Sequence, residues 1–211
     1  MRPVFMIDYS SRNLVRASSR LRNAKLIRAD ISRVPFEDDC FDCVVVIRVL
    51  HHFSDPRIVL DEVCRVARNG ATVILGVPNP RLGRYMGVPT KMGVIFGPQG
   101  HRSYVHSPDA YSGPRLREVS RRGLGSFDNH LTRRLSRLIP LSKLDTLTSP
   151  AWKLKPELFI KLRVEKEDRG EREPIPLCTC HGSIVEGVCR GCGRAFGQII
   201  DLVRDENEAA D

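Results

Sequence analysis

Val4-Phe-Met-Ile-Asp-Tyr-Ser10 is an apolar run that ends on a carboxylate. It is followed by Arg28-Ala-Asp30, Val34-Pro-Phe-Glu-Asp-Asp39 and Cys40-Phe-Asp-Cys-Val44. The first run reads as a buried strand that carries Asp8 out at its C-terminal edge. In an open α/β sheet ligands bind at that edge, and a carboxylate there suits the two hydroxyls of a ribose. Only three residues precede Val4, too few for the glycine-rich turn that usually accompanies such a strand.

Outward from this stretch, strand and helix signals alternate. Ser10 or Ser11 can cap a helix running to about Arg22. Lys25–Ala29 reads as a short strand ending at Asp30, and Phe41–Val49 as a Val-rich strand buried on both faces. Asp55-Pro56 opens a helix, with Asp55 at the cap and Pro56 in the first turn. Ile58, Val59, Val63 and Val66 supply its apolar face, and Asn69-Gly70 closes it. Ala71–Val77 is the next strand. The fold class is therefore α/β, with a parallel sheet flanked by helices. Residues 79–108 read as a long Gly/Pro-rich loop and lid. Asp109–Arg122 reads as a helix, Ser126–His130 as a strand, Leu131–Ile139 as a short basic helix and Leu158–Val164 as a last strand.

Composition narrows the function classes. The chain has 211 residues, 41% hydrophobic, and a net charge of +9. No apolar run approaches the ~20 residues of a membrane span, and the start lacks the features of a secretory signal, so a cytoplasmic protein is expected. The charge is uneven: residues 81–160 hold 14 Lys/Arg against 5 Asp/Glu, whereas residues 161–211 hold 8 against 11. Arg115, Arg117, Arg121, Arg122, Arg133, Arg134 and Arg137 form the densest basic part. Such a patch can attract phosphates, but a solvated face is the plainer reading, and no interleaved aromatics offer a stacking surface for single strands.

The residues together resemble class I S-adenosylmethionine (SAM)-dependent methyltransferases of the type 11, ubiquinone/menaquinone-biosynthesis-like group. The ordered series Ile7-Asp-Tyr-Ser10, Ala29-Asp30, Val34-Pro-Phe36, Phe41-Asp42, Val49-Leu-His-His52, Asp55, Arg65-Val66 and Asn69-Gly70 carries the resemblance. It is close over about residues 4–80 and looser over 100–164. It implies a Rossmann-like sheet and SAM as methyl donor. Asp8 then holds the ribose hydroxyls with Tyr9 beside the adenine. Asp30 and Ile31 flank the adenine, and Arg48 and Val49 line the methionine end. His51 and His52 fall near the reacting centre, and His101, Tyr104 and His106 in the lid; no residue is assigned a catalytic role. The family's first strand and its G-x-G-x-G-like turn have no counterpart here. In the family order that strand lies between those read at 4–8 and 41–49. An upstream gene start is the favoured expectation, over a separate chain supplying the strand or the two neighbours zipping together.

Near the C-terminus, Cys178-x-Cys180 and Cys189-x-x-Cys192-Gly193 offer four thiolates from two short turns. That set can enclose a tetrahedral Zn²⁺, and so short a segment has little core without one. His181, three residues after Cys178, is an alternative to Cys180. Cys40, Cys43 and Cys64 read as small buried hydrophobes. The C-terminal stretch resembles the zinc ribbons fused to, or partnered with, methyltransferases, which implies a structural or partner-docking role.

The expected organisation is thus a methyltransferase-like domain over 1–164, a charged linker over 165–176, a zinc ribbon over 177–204 and an acidic tail over 205–211. The leading reading is an enzyme that methylates an unidentified acceptor: a small molecule, RNA or a protein. The alternative is a non-catalytic relative that binds RNA or a protein through residues 115–137 and the ribbon.

Overall fold

The computed structural model describes residues 4–79, 94–96, 102–124, 157–167, 170 and 172–203. In chain order the elements of the first half are β1 (Val4–Asp8), α1 (Ser11–Ser18), β2 (Ala24–Arg28), β3 (Phe41–Ile47), α2 (Arg57–Val66) and β4 (Ala67–Pro78). Then come β5 (Val94–Phe96), β6 (Arg102–Tyr104), β7 (Leu116–Leu124), β8 (Glu157–Val164), β9 (Ile184–Val185), β10 (Val188–Cys189) and β11 (Ile199–Asp201). The chain forms two compact units, residues 1–41 with 170–211, and residues 42–169. The boundaries differ from the sequence segments: the cysteine-rich region clusters with the first strands.

In the first unit β1 and β2 run parallel, in register from Val4↔Ala24 to Asp8↔Arg28. The intervening α1 starts where Ser10 Oγ accepts the Asn13 amide (3.4 Å). It ends at Ser18, short of the expected Arg22, and seats a fully buried Leu14. The third strand of this sheet was not foreseen. β11, from the far end of the chain, pairs parallel with β2, Ile199↔Leu26 through Asp201↔Arg28. Phe5, Phe36 and Phe41 form an edge-to-face trio, with centroids 4.9 to 5.9 Å apart, that fills one side of this small core.

The second unit is a four-stranded sheet in the order β3-β4-β8-β7. β8 is antiparallel to both β4 and β7, so this sheet is not the parallel one expected from strand–helix alternation. Its core comes from strict alternation: Val73, Leu75 and Val77 on β4 and Leu158, Ile160, Leu162 and Val164 on β8 are all buried. Helix α2 adds Val59, Leu60, Val63, Cys64 and Val66. Ile58, expected on that face, is exposed. Pro56 is the cap, and Asp55 supports the first turn by accepting the Arg57 amide (3.0 Å).

Further expectations are corrected. Asn69-Gly70 does not close the helix, which stops at Val66; both residues lie in β4, where Gly70 takes a φ of +75°. Strand β3 is not buried on both faces: Val45 and Ile47 are exposed and only Val46 is fully covered. Residues 109–122 are not a helix but a short 3-10 turn, Pro108–Tyr111, followed by β7. The loop and lid region contains an antiparallel pair, β5 with β6. The expected elements at 126–139, with Arg133, Arg134 and Arg137, and His101 lie outside the described residues. Among the described residues β1 pairs only with β2, and β3 only with β4. Those are the two strands between which the resemblance puts its first strand.

Candidate functional site

At the C-terminal edge of the first sheet, Asp8 turns its carboxylate toward the start of α1. Oδ1 accepts the Ser10 amide (2.8 Å) and Oδ2 accepts Asn13 Nδ2 (3.0 Å). A carboxylate has about four lone-pair positions, so two are left for further donors such as a vicinal diol. Tyr9 projects into solvent, 63% exposed. Its carbonyl accepts Arg28 Nε (3.1 Å), and the Arg28 guanidinium lies 5.7 Å from its ring centroid. Asp30 caps the 3-10 turn Ile31–Arg33 by accepting the Ser32 amide on Oδ1 (2.8 Å). Ile31 is half-buried at the start of that turn. The structure thus brings Asp8 and Tyr9 to one strand end and puts Asp30 and Ile31 just beyond the next. Asp8 and Asp30 both use one carboxylate oxygen to cap the turn that follows their strand.

Arg48 and Val49 lie in the second unit, just past β3. Arg48 has a φ of +56°, a conformation that costs a non-glycine residue free energy and concentrates at functional sites. Its amide donates to the Gly76 carbonyl (2.8 Å), and its side chain pairs with Glu157. Gly76 leaves room for Ile47: a Cβ there would lie 2.8 Å from Ile47 Cδ1, so that side chain would have to shift. Next comes the 3-10 turn Leu50–His52. His51 and His52 have ring centroids 4.0 Å apart. Burial first, then the neighbouring His52, Arg48 and His106, push the His51 imidazole down to about 4, so it is neutral at pH 7. Its Nδ1 is buried with no hydrogen-bond partner among the described residues. His106 Nε2 faces the carbonyls of Phe53 (2.9 Å) and Leu50 (3.3 Å), and Tyr104 stacks near it, 6.4 Å between centroids. These two residues of the presumed lid therefore pack on the His51 turn. A cleft of about 320 Å³ between α2 and residues 110–116, lined by Arg57, Asp61, Tyr111 and Arg115 among others, holds none of the candidate residues.

The basic segment is largely neutralised where it is described. Arg115 pairs with Asp61, Arg117 with Glu165 and Arg121 with Glu118.

The cysteines converge as their spacing suggests. The sulfurs of Cys178, Cys180, Cys189 and Cys192 all lie within 4.8 Å of one another, with Cys180–Cys189 at 3.4 Å and Cys178–Cys192 at 3.8 Å. Tetrahedral Zn–S bonds of ~2.3 Å put sulfurs about 3.8 Å apart, so the donor set fits. His181 is outside the cluster; its amide donates to the Cys178 carbonyl (2.8 Å) and its φ is +65°. The two knuckles touch backbone to backbone: a Cβ on Gly182 would meet Gly191 N at 2.7 Å. Between them β9 and β10 form a hairpin whose turn, Glu186-Gly187, has both φ values positive, as a two-residue type I′ turn requires. The Cys192 amide is the largest influence drawing the Cys189 thiol down to about 6; burial opposes it, while Cys180 and the Gly191 amide assist. The cluster therefore presents one ready thiolate, and a divalent cation would displace the remaining protons. The other cysteines are separate: Cys40 and Cys64 are buried and Cys43 is exposed.

Sequence reasoning missed three contributors. Asn13 is legible only as a helix residue five positions after Asp8. Arg28 looks like a strand-end charge. Asp201 has no local signal at all, because its partner lies 173 residues away.

Residues 2–75 match the sequence family described as "methyltransferase domain". A demethylmenaquinone methyltransferase of Thermotoga maritima is 39% identical over 82 residues, covering 38% of this chain and 36% of that protein. A protein of a Streptomyces fradiae transposon is 35% identical over 79 residues, covering 36% of this chain and 23% of its own length. The chain therefore matches about a third or less of these curated relatives. Among solved structures, a SAM-dependent methyltransferase from Mesorhizobium loti aligns with 76% of this chain and 80% of its own (TM-score 0.53, 18% identity). The [4+2]-cyclase SpnF aligns with 79% of this chain and 68% of its own (TM-score 0.53, 14% identity). One fold thus hosts more than one chemistry. No helix among the described residues is long and apolar enough to cross a membrane. The chain has the Rossmann-like fold of the class I methyltransferases, and its sequence match to a methyltransferase domain is confined to residues 2–75.

Proposed function

We propose that the chain is a SAM-dependent methyltransferase whose C-terminal cysteines hold a structural Zn²⁺. The reading rests on Asp8: a carboxylate at the C-terminal edge of a parallel strand pair, inside the matched residues, with acceptor capacity left after its two internal hydrogen bonds. In this reading Asp8 accepts from the ribose hydroxyls of SAM, and Tyr9, Asp30 and Ile31 border the adenine. Arg48 and Val49 are a separate candidate in the second unit, to which the unusual backbone of Arg48 lends support. The sulfonium supplies an already activated methyl group, so the protein's task is to align the acceptor nucleophile and exclude water. The Thermotoga relative is named for a demethylmenaquinone, and a small quinol-type acceptor is the class proposed. Cys178, Cys180, Cys189 and Cys192 would fill all four positions of the Zn²⁺, which leaves it no open site for chemistry.

Calorimetric titration of this chain with SAM tests the reading. Binding is expected, and the Asp8→Asn variant weakens it. Absence of binding removes the enzyme reading.

A further inference from the structure

Residues 57, 60, 61 and 64 share one face of α2 at helical spacing, and residues 110–116 stand opposite them. Between these walls is the cleft of about 320 Å³, at the small end of the range for ligand pockets. Both walls are pinned by the chain's own hydrogen bonds. Gly113 and Leu116 exchange both backbone bonds (3.0 Å each), and the Glu165 amide donates to the Arg115 carbonyl (3.0 Å). Arg115 NH2 donates to Asp61 Oδ1 (2.6 Å), joining one wall to the other. Leu60, Cys64, Tyr111 and Leu116 are buried and supply an apolar lining. Burial raises the Cys64 thiol above its ordinary value, so it stays protonated and adds to that lining. Tyr111 is only 2% exposed, yet its hydroxyl makes no hydrogen bond among the described residues and is not one of the polar atoms sealed from solvent. An unpaired hydroxyl in so buried a residue is left for a partner in the cleft that Tyr111 lines.

We infer that this cleft is a binding site for a small carboxylic acid with a hydroxyl or carbonyl oxygen at its other end: Tyr111 takes that oxygen, and Arg57 and Arg115 take the carboxylate. The lining is rich in donors. Asp55 engages Arg57 through Nε and NH2, and Asp61 engages Arg115 through NH2, out of five N–H donors on each guanidinium. Both ion pairs are exposed, so sharing their donors with a ligand costs little. Burial holds the Tyr111 phenol above its ordinary value, so it too is a donor at neutral pH. Against these stands one carboxylate oxygen of Asp61 that accepts no hydrogen bond. A monoanion with oxygens at both ends matches that inventory, and its apolar body suits Leu60, Cys64 and Leu116. A phosphate ester carries about −1.5 to −2, and Asp55 and Asp61 beside the guanidiniums would repel the extra charge. The site stands apart from the SAM reading, which concerns Asp8 in the first unit.

Heteronuclear NMR titration of the full chain tests the site, with 4-hydroxyphenylacetate, phenylacetate and 4-hydroxyphenylacetamide as probes. 4-Hydroxyphenylacetate is expected to bind at millimolar concentration or below, the range open to so small a ligand, and to shift the signals of Leu60, Tyr111 and Leu116. Phenylacetate lacks the hydroxyl and should bind about fivefold more weakly; the uncharged amide should bind about tenfold more weakly. In Tyr111→Phe the two acids should bind alike. The melting temperature of that variant should hold or rise slightly, because no protein hydrogen bond is lost. In Arg115→Gln both acids should lose about tenfold while the amide is unaffected. Absence of shifts at these residues with all three probes overturns the inference. So does a preference for the hydroxylated acid that survives Tyr111→Phe, or acid binding that is unchanged in Arg115→Gln. No SAM is present in the titration, so its failure and the failure of the Asp8 reading are separate results.

Discussion

The two larger sheets of this molecule are built in opposite ways. In the second unit, β4 and β8 share a seven-residue antiparallel register, and their inward side chains are sealed from solvent. The first unit is thin by comparison. Its strands are two to five residues long, and Val4 at the start of β1 is 60% exposed. It is held by an aromatic trio, polar turns, a cysteine cluster and a strand borrowed from far along the chain. Apolar burial at roughly 25 cal/mol per Å² dominates the first kind of construction, and a small core needs staples for the second. Ligand edges tend to come from the less stable part of a structure, and Asp8, Tyr9, Asp30 and Ile31 all lie in the stapled unit.

Four experiments would break or sharpen this contrast. The largest effect is expected from the metal. Structural sites of this kind bind Zn²⁺ with an apparent free energy on the order of 10 kcal/mol. Cys189→Ser or chelation should therefore abolish amide protection across the β9–β10 hairpin and β11, while β4 and β8 keep theirs. Metal analysis should find one zinc per wild-type chain, and unaltered protection after chelation would refute the staple. Next, Ile160→Ala empties a fully buried site between β4 and β7 and should cost about 3–4 kcal/mol in denaturant unfolding, with the cysteine centre left intact.

The third effect is a pH dependence in the second unit. His51 titrates near 6.5 when unfolded and near 4 when folded. Between those values the unfolded chain binds the extra proton, so this stabilisation is present above pH 6.5 and is lost as pH falls toward 4. Allowing for partial exposure, about 1 kcal/mol should disappear across that window and be absent in His51→Gln. Denaturant midpoints at pH 7 and 4.5 measure it, and equal slopes in the two proteins would refute it. The smallest effect is Ser10→Ala, which removes the cap of α1 and should cost about 1 kcal/mol or less, read from thermal melts.

Legibility followed the same divide. The apolar runs at 4–8 and 158–164 became β1 and β8 because short-range pattern and burial agree there. The strand end at Asp8 and the convergence of the four cysteines were legible because strand ends and paired thiols have local signatures. β7 was misread as a helix for a specific reason. Leu116 and Val119 sit three apart, a helical spacing, but a bulge between Glu118 and Ser120 breaks the two-residue alternation of a strand. Gly70 was read as a helix cap from its left-handed preference; it does take positive φ, but inside β4, after the helix has ended. The covering of β3 was overestimated, because four consecutive apolar residues, Val44 to Ile47, look central whether or not a neighbour is present on each side. The pairing of β11 with β2 could not be read, since parallel neighbours need not be close in sequence.

That borrowed strand sets an order of events during synthesis. β1, α1 and β2 leave the ribosome early, yet the edge of β2 stays open until residue 201 has been made and has cleared the exit tunnel. Translation at about 5–20 residues per second leaves roughly ten seconds or more in which the nascent β2 edge can recruit a stranger's strand. The strand edge that carries Asp8 is therefore among the last parts of this protein to mature, and its assembly is exposed to anything that slows the ribosome in between.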